Sequence, residues 1–130
     1  MTREYTGIDQ SVTKSFLAGA DLTEPNGVFV AAGEDGVTLP TAGGDVVGLA
    51  IVSNQDSVAK GKRLDVQIKD IGLVVAGGAF SAGSLLATDA SGRAVAATSG
   101  KFIVGRAIGP ATAIGDLVQV QLLNFGAKMA

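Results

Sequence analysis

Serine, lysine and a few acids are the only residues here that could perform chemistry, because the 130-residue chain contains no histidine and no cysteine. That removes a Ser-His-Asp arrangement, a thiol nucleophile, thiolate metal sites and disulfides. A serine–lysine pair is conceivable from Ser81, Ser84 or Ser99 with Lys101, but ordinary surface positions account for these residues better. Asp89-Ala-Ser-Gly92 has the residue order of a hairpin turn, not of an aspartic-protease loop. Glu34, Asp35 and Asp45 offer hard oxygen ligands, yet their spacing matches no calcium loop. Gly43-Gly44-Asp-Val-Val-Gly48 is followed by an apolar run and not by a helix N-terminus, so it reads as a turn and not a phosphate cradle. No catalytic residue, no metal and no cofactor is expected. Lys60-Gly-Lys62-Arg63 is the one basic cluster, a solvated loop unless an acidic partner meets it.

Composition points to a scaffold. Apolar residues make up 47% of the chain, and 19 of its residues are glycine, far above the usual ~7%. Aromatic residues are only 5%, with no tryptophan. A Val/Ile/Leu/Ala core with this much glycine suits thin, tightly curved sheets, since each glycine inside a helix costs about 1 kcal/mol relative to alanine. The formal charge of −2 gives no basic surface for nucleic acid. Charge is uneven: residues 1–60 hold eight acids and three bases, residues 61–130 four and seven, a polarity that could favour head-to-tail association. No apolar run approaches a ~20-residue membrane span, and Met1–Gly7 does not read as a signal peptide. The reading is a soluble protein made in a reducing cytoplasm, with no membrane partner.

The elements that carry these residues read as short strands broken by turns. Residues 1–27 are polar with scattered Tyr5, Ile8, Phe16 and Leu17, and close at Pro25-Asn26-Gly27. They are expected to form an extended arm with one short strand or helical turn around Ser15–Ala18. From Val28 to Ala130 a β domain follows. Val28–Ala32, Val37–Leu39 and the apolar run Val46–Val52 are strands, the last suited to burial on both faces. Leu64, Val66 and Ile68 alternate with Asp65, Gln67 and Lys69. Ile71–Val75 continues after a bend, because Asp70 and Gly72 break the period. Leu85–Thr88 and Arg93–Ala97 flank a hairpin loop with Gly92 at its positive-φ position. Phe102–Ile108 and Leu117–Leu123 complete the set, the last with Val118, Val120 and Leu122 opposite Gln119 and Gln121. The fold class is all-β: a small Gly/Ala-rich barrel or sandwich of short antiparallel strands.

Several pieces, in this order, resemble the head decoration or capsid cement proteins of tailed bacteriophages. They are Gly36-Val-Thr-Leu, Val47-Gly-Leu-Ala, Val75-Ala-Gly-Gly-Ala-Phe-Ser-Ala-Gly83, Thr88-Asp-Ala-Ser-Gly-Arg-Ala-Val95, Val104-Gly-Arg-Ala-Ile108 and Ala113-Ile-Gly-Asp-Leu-Val-Gln-Val-Gln-Leu122. The resemblance spans roughly residues 28–123. It implies a non-enzymatic virion protein on the capsid exterior, holding adjacent major capsid subunits, commonly as a trimer. Arg3, Tyr5, Lys14 and Phe16 of the arm, with Lys60, Lys62 and Arg63, are the candidate contacts to capsid or neighbouring copy. A carbohydrate- or receptor-binding β module of a fibre or adhesin is the rival, weakened by the scarcity of aromatic side chains. A serine–lysine hydrolase is the third reading.

Overall fold

The computed structural model describes residues 13–23, 25–51, 57–123 and 126–130. Twelve strands and no helix occur among them: β1 (Thr13–Leu17), β2 (Leu22–Thr23), β3 (Phe29–Gly33), β4 (Gly36–Thr38), β5 (Gly48–Ile51), β6 (Ser57–Val58), β7 (Arg63–Gln67), β8 (Ile71–Val75), β9 (Leu85–Thr88), β10 (Ala94–Ala96), β11 (Gly105–Ala107) and β12 (Leu117–Leu122). They form two five-stranded sheets, ordered β1-β7-β5-β3-β4 and β10-β9-β11-β12-β8, and a β2-β6 ribbon. All ladder pairings are antiparallel.

Alternation along the strands of sheet one explains the layering. Phe29 and Leu49 point toward sheet two and join Val74, Leu86, Val104, Val118 and Val120 in the larger core. Their neighbours Val30 and Ala50 point the other way, into a second core with Leu22, Val58, Leu64 and Val66. Sheet one is therefore covered on both faces, as the unbroken apolar run through Leu49 and Ala50 requires.

The sandwich alternative holds and the barrel does not. Each sheet curls until its edges touch once, at the bridges Ala18↔Val37 and Ala76↔Ala94, but neither closes by a ladder. Small residues at all but one of these four positions let the edges approach without completing a barrel.

The expected arm proves partly structural. The Ser15–Ala18 region is a strand, and all five residues of β1 pair with β7; Ala18 and Leu22 lie in the second core. Residues 13–23 thus belong to the folded unit, while residues 1–12 lie outside the described residues. The strand expected over Phe102–Ile108 shrinks to Gly105–Ala107, because Gly100–Ile103 bond instead with the chain end: Ile103 N–H to Ala127 O, Met129 N–H to Lys101 O.

Candidate functional site: a neutral sheet face and an open edge

Sheet two is buried on one face only. Val118, Val120 and Leu122 point into the core, so Leu117, Gln119 and Gln121 point outward. The register extends this outer face in rows across the sheet. One row runs Leu85, Arg106, Gln121, Ile71. The next is Ile108, whose N–H donates to Gln119 O, then Gln119 and Leu73; the third pairs Leu117 with Val75. Arg106 is the one charged side chain in these rows. Leu117 is 65% exposed, Leu73 54% and Ile71 51%, with Ile114 at 66% in the loop just before β12. Contiguous exposed apolar surface of this kind marks a protein-binding site more often than scattered single residues do.

Among the described residues β8 is an edge strand, at the margin of this face. Leu122 N–H donates to Asp70 O and Ala76 N–H to Asp116 O, so even-numbered positions bond to β12 and odd ones turn their backbone groups outward. Val75 N–H is taken by Gly27 O at 2.8 Å, and Ile71 O by the Gln67 amide at 2.9 Å. The N–H and C=O of Leu73 face a groove of about 410 Å³, lined by Gly27, Ile51, Gln67, Ile71, Leu73 and Leu117 among others.

Gln67 corrects a simple reading of the β7 alternation. It shares a face with the exposed Asp65 yet is buried, because sheet two covers that end of the strand. Its Nε2 donates to Lys69 O and Ile71 O, both at 2.9 Å. These bonds hold the β7–β8 turn, in which Asp70 adopts φ 71°. Gly72 lies close beside it: a β-carbon there would stand 2.6 Å from Gln67 Oε1 and 2.8 Å from Leu49 Cδ2, so one of those side-chain ends would have to shift.

The basic cluster is brought beside β1. Ala18 N–H donates to Lys62 O, and Leu17 pairs with Arg63. Arg63 reaches Ser15 Oγ at 3.5 Å, and Lys60 Nζ lies 3.5 Å from Asp35 Oδ2. Lys14, Lys60, Lys62 and Arg63 are exposed. Phe16 is instead half-buried against the second core. Arg3 and Tyr5 fall outside the described residues.

The other chemical candidates resolve into turns. Asp89 Oδ1 accepts from Ser91 and Arg93 N–H, and its Oδ2 pairs with Arg93 Nε at 3.1 Å. Gly92, at φ 81°, packs against the backbone of Phe29. Asp35 pairs with Lys60, and Asp45 Oδ1 accepts Val46 N–H. Among the described residues no three potential ligands gather as a metal site, and no hydrogen bond links Ser81, Ser84 or Ser99 to Lys101. No helix of the structure is long and apolar enough to cross a membrane. Of the phenylalanines, Phe29 and Phe80 are buried, and Lys128 covers the half-buried Phe102 ring at 4.9 Å.

The residues of the outer face were not singled out in the sequence. Their signal was present: Leu117 stands on the glutamine side of an otherwise regular alternation, and Ile71 and Leu73 share one side of β8.

The described residues thus form a β sandwich with an apolar-rich outer face on sheet two and an edge strand beside it. Residues 8–122 match the family model of phage cement proteins. The chain belongs to that family, and is a capsid-associated structural protein of a bacteriophage. The fold agrees with that of the N base of the head fibre protein gp8.5 of bacteriophage phi29, at a TM-score of 0.65 and 19% identity over 92% of this chain and 100% of that one. No curated protein matches.

Proposed function

We propose that this chain cements the phage head, binding the outer surface of the shell where major capsid subunits meet, as a homotrimer and without catalysing a reaction. The observation that carries this reading is the outer face of sheet two, where Ile71, Leu73, Ile108, Ile114 and Leu117 lie exposed among glutamines. Burying one such side chain is worth about 1.5–3 kcal/mol, so a few suffice to seat a rigid module. A sandwich already ordered loses little entropy on docking, and three linked copies convert modest contacts into avidity.

Arg3, Tyr5, Lys14, Lys60, Lys62 and Arg63 serve in this reading as a second, charged contact to an acidic capsid surface or a neighbouring copy. Virion assembly follows synthesis in the host cytoplasm, which the cysteine-free sequence suits.

The test is co-sedimentation with expanded shells of the source phage, with and without the protein, followed by heating. Binding and a raised disruption temperature are expected. Shells that neither bind the protein nor gain heat resistance would overturn the proposal.

A further inference from the structure

Arg106 stands in the middle of the outer face of sheet two. Its strand, β11, is the central one in the order β10-β9-β11-β12-β8. Gly105 and Ala107 on either side of it are buried, so the Arg106 side chain points outward and is exposed. Leu85 and Gln121 flank it across the ladder, and Ile71 ends its row. Among the described residues nothing neutralises it. Its side chain makes one bond, from Nη1 to Gly83 O at 3.4 Å, and no ion pair, although a guanidinium carries five N–H donors. The acids of neighbouring elements are engaged or distant. Asp89 pairs with Arg93. Asp116 accepts from Thr112 and Ala113 and lies about 17 Å along β12 from Gln121. Asp70, next to Ile71, is two strands from β11, about 10 Å.

We propose that Arg106 is the specificity-determining contact of this face, meeting a carboxylate that the shell protein presents within an apolar patch. This rests on the reading that the outer face of sheet two docks on the shell. A surface that covers Leu85 on one side of Arg106 and Ile108, Ile71 and Leu73 on the other also strips water from the guanidinium between them. A buried charge without a partner is costly. Since the described fold brings no acid to it, the counter-charge has to come from the partner. A carboxylate fits best, because it accepts two parallel N–H bonds from the guanidinium fork. The bond to Gly83 O already places the side chain, so less rotamer freedom is lost on docking. Arginines at the centre of an interface, ringed by contacts that exclude water, are typical of the residues on which binding depends. The apolar ring supplies affinity. Arg106 rejects any apolar surface that lacks the acid, because its charge would be left unpaired there.

The test compares full-length R106Q, R106K and R106E with the unaltered protein for binding to expanded shells of the source phage. Because the side chain is exposed, all are expected to melt alike. R106Q should bind at least about tenfold more weakly, and R106E about tenfold more weakly again through repulsion by the carboxylate. R106K should fall between R106Q and the unaltered protein, since it keeps the charge and loses the fork. Equal binding by R106Q and the unaltered protein overturns the proposal and leaves the docking of sheet two in place, which L73D combined with L117D reads separately. Equal losses in R106Q and R106E point to a neutral acceptor and overturn it too. No binding by the unaltered protein defeats the docking reading and this proposal together. A second measurement uses shells whose surface carboxylates have been amidated with carbodiimide and glycinamide. On these the difference between R106Q and the unaltered protein is expected to vanish, and a difference as large as on native shells contradicts the proposal. Sedimentation without shells should give R106Q the same mass as the unaltered protein. A lower mass would assign Arg106 to a contact between copies and overturn the assignment to the shell.

Discussion

Gln67 and Gly72 form one small device. The glutamine amide satisfies two turn carbonyls, and the missing β-carbon leaves room for its oxygen. Gln67→Leu leaves those carbonyls without their donor and is expected to cost about 1–3 kcal/mol; Gly72→Ala overpacks the same spot at a cost of about 1–3 kcal/mol. Urea unfolding measures both, and unchanged midpoints would contradict the account. Asp116 is a second local case. Its Oδ2 accepts Thr112 N–H at 2.9 Å, Thr112 Oγ1–H at 3.0 Å and Ala113 N–H at 3.2 Å. The Thr112 backbone bond is the main cause that holds its pKa below the ordinary aspartate range, followed by the Thr112 hydroxyl and Ala113 N–H. Because the folded value is the lower one, this contribution to stability is full above the unfolded value. It is lost as pH falls through the folded value. Melting temperatures measured downward from about pH 4 should fall less steeply for Asp116→Asn than for the unaltered protein. By contrast the Lys60–Asp35 pair is exposed at both ends and contributes at most about 1 kcal/mol.

Strands β8 and β12 show how the same alternation serves two purposes. Their inner residues hold the core, whereas their outer residues form the neutral face. Leu86→Ala, in the core beneath β9, is expected to lose about 2–5 kcal/mol of stability in calorimetry. The outer pair behaves oppositely: L73D combined with L117D should leave the fold intact by circular dichroism and reduce shell binding at least tenfold. Full binding by that variant would remove the outer face from the contact. Strand β1 could not be placed from its own residues. Thr13–Leu17 has only Phe16 and Leu17 as apolar members, so no period marks it. It becomes a strand because the open edge of β7, fifty residues later, pairs with it.

For the molecule as a whole, the two curled sheets and the ribbon pack around two cores. If it acts as a trimer, analytical ultracentrifugation should give three times the 12.9 kDa chain mass at concentrations that saturate shells. A monomer under those conditions would confine trimerisation to the capsid surface. Truncation of residues 1–12 should leave β1 in place, whereas removal through residue 20 would also strip β1 from sheet one and expose Leu64 and Val66. Calorimetry of the two truncations separates these outcomes, the second expected to be markedly less stable.

Short apolar runs and turn glycines were sufficient to indicate an all-β chain, the Asp89–Gly92 hairpin and the bend at Asp70, and the ordered motifs within residues 28–123 carried the resemblance to the family whose model matches residues 8–122. Those properties are local: backbone freedom at glycine, alternation along a strand and the side-chain types available for chemistry. Burial of Gln67, membership of β1 in a sheet, the sandwich in place of a barrel and the exposed face around Leu73 and Leu117 were settled only in three dimensions. Each depends on which strand lies beside or above another, and pairing partners distant in the chain leave no mark in the local pattern of either segment.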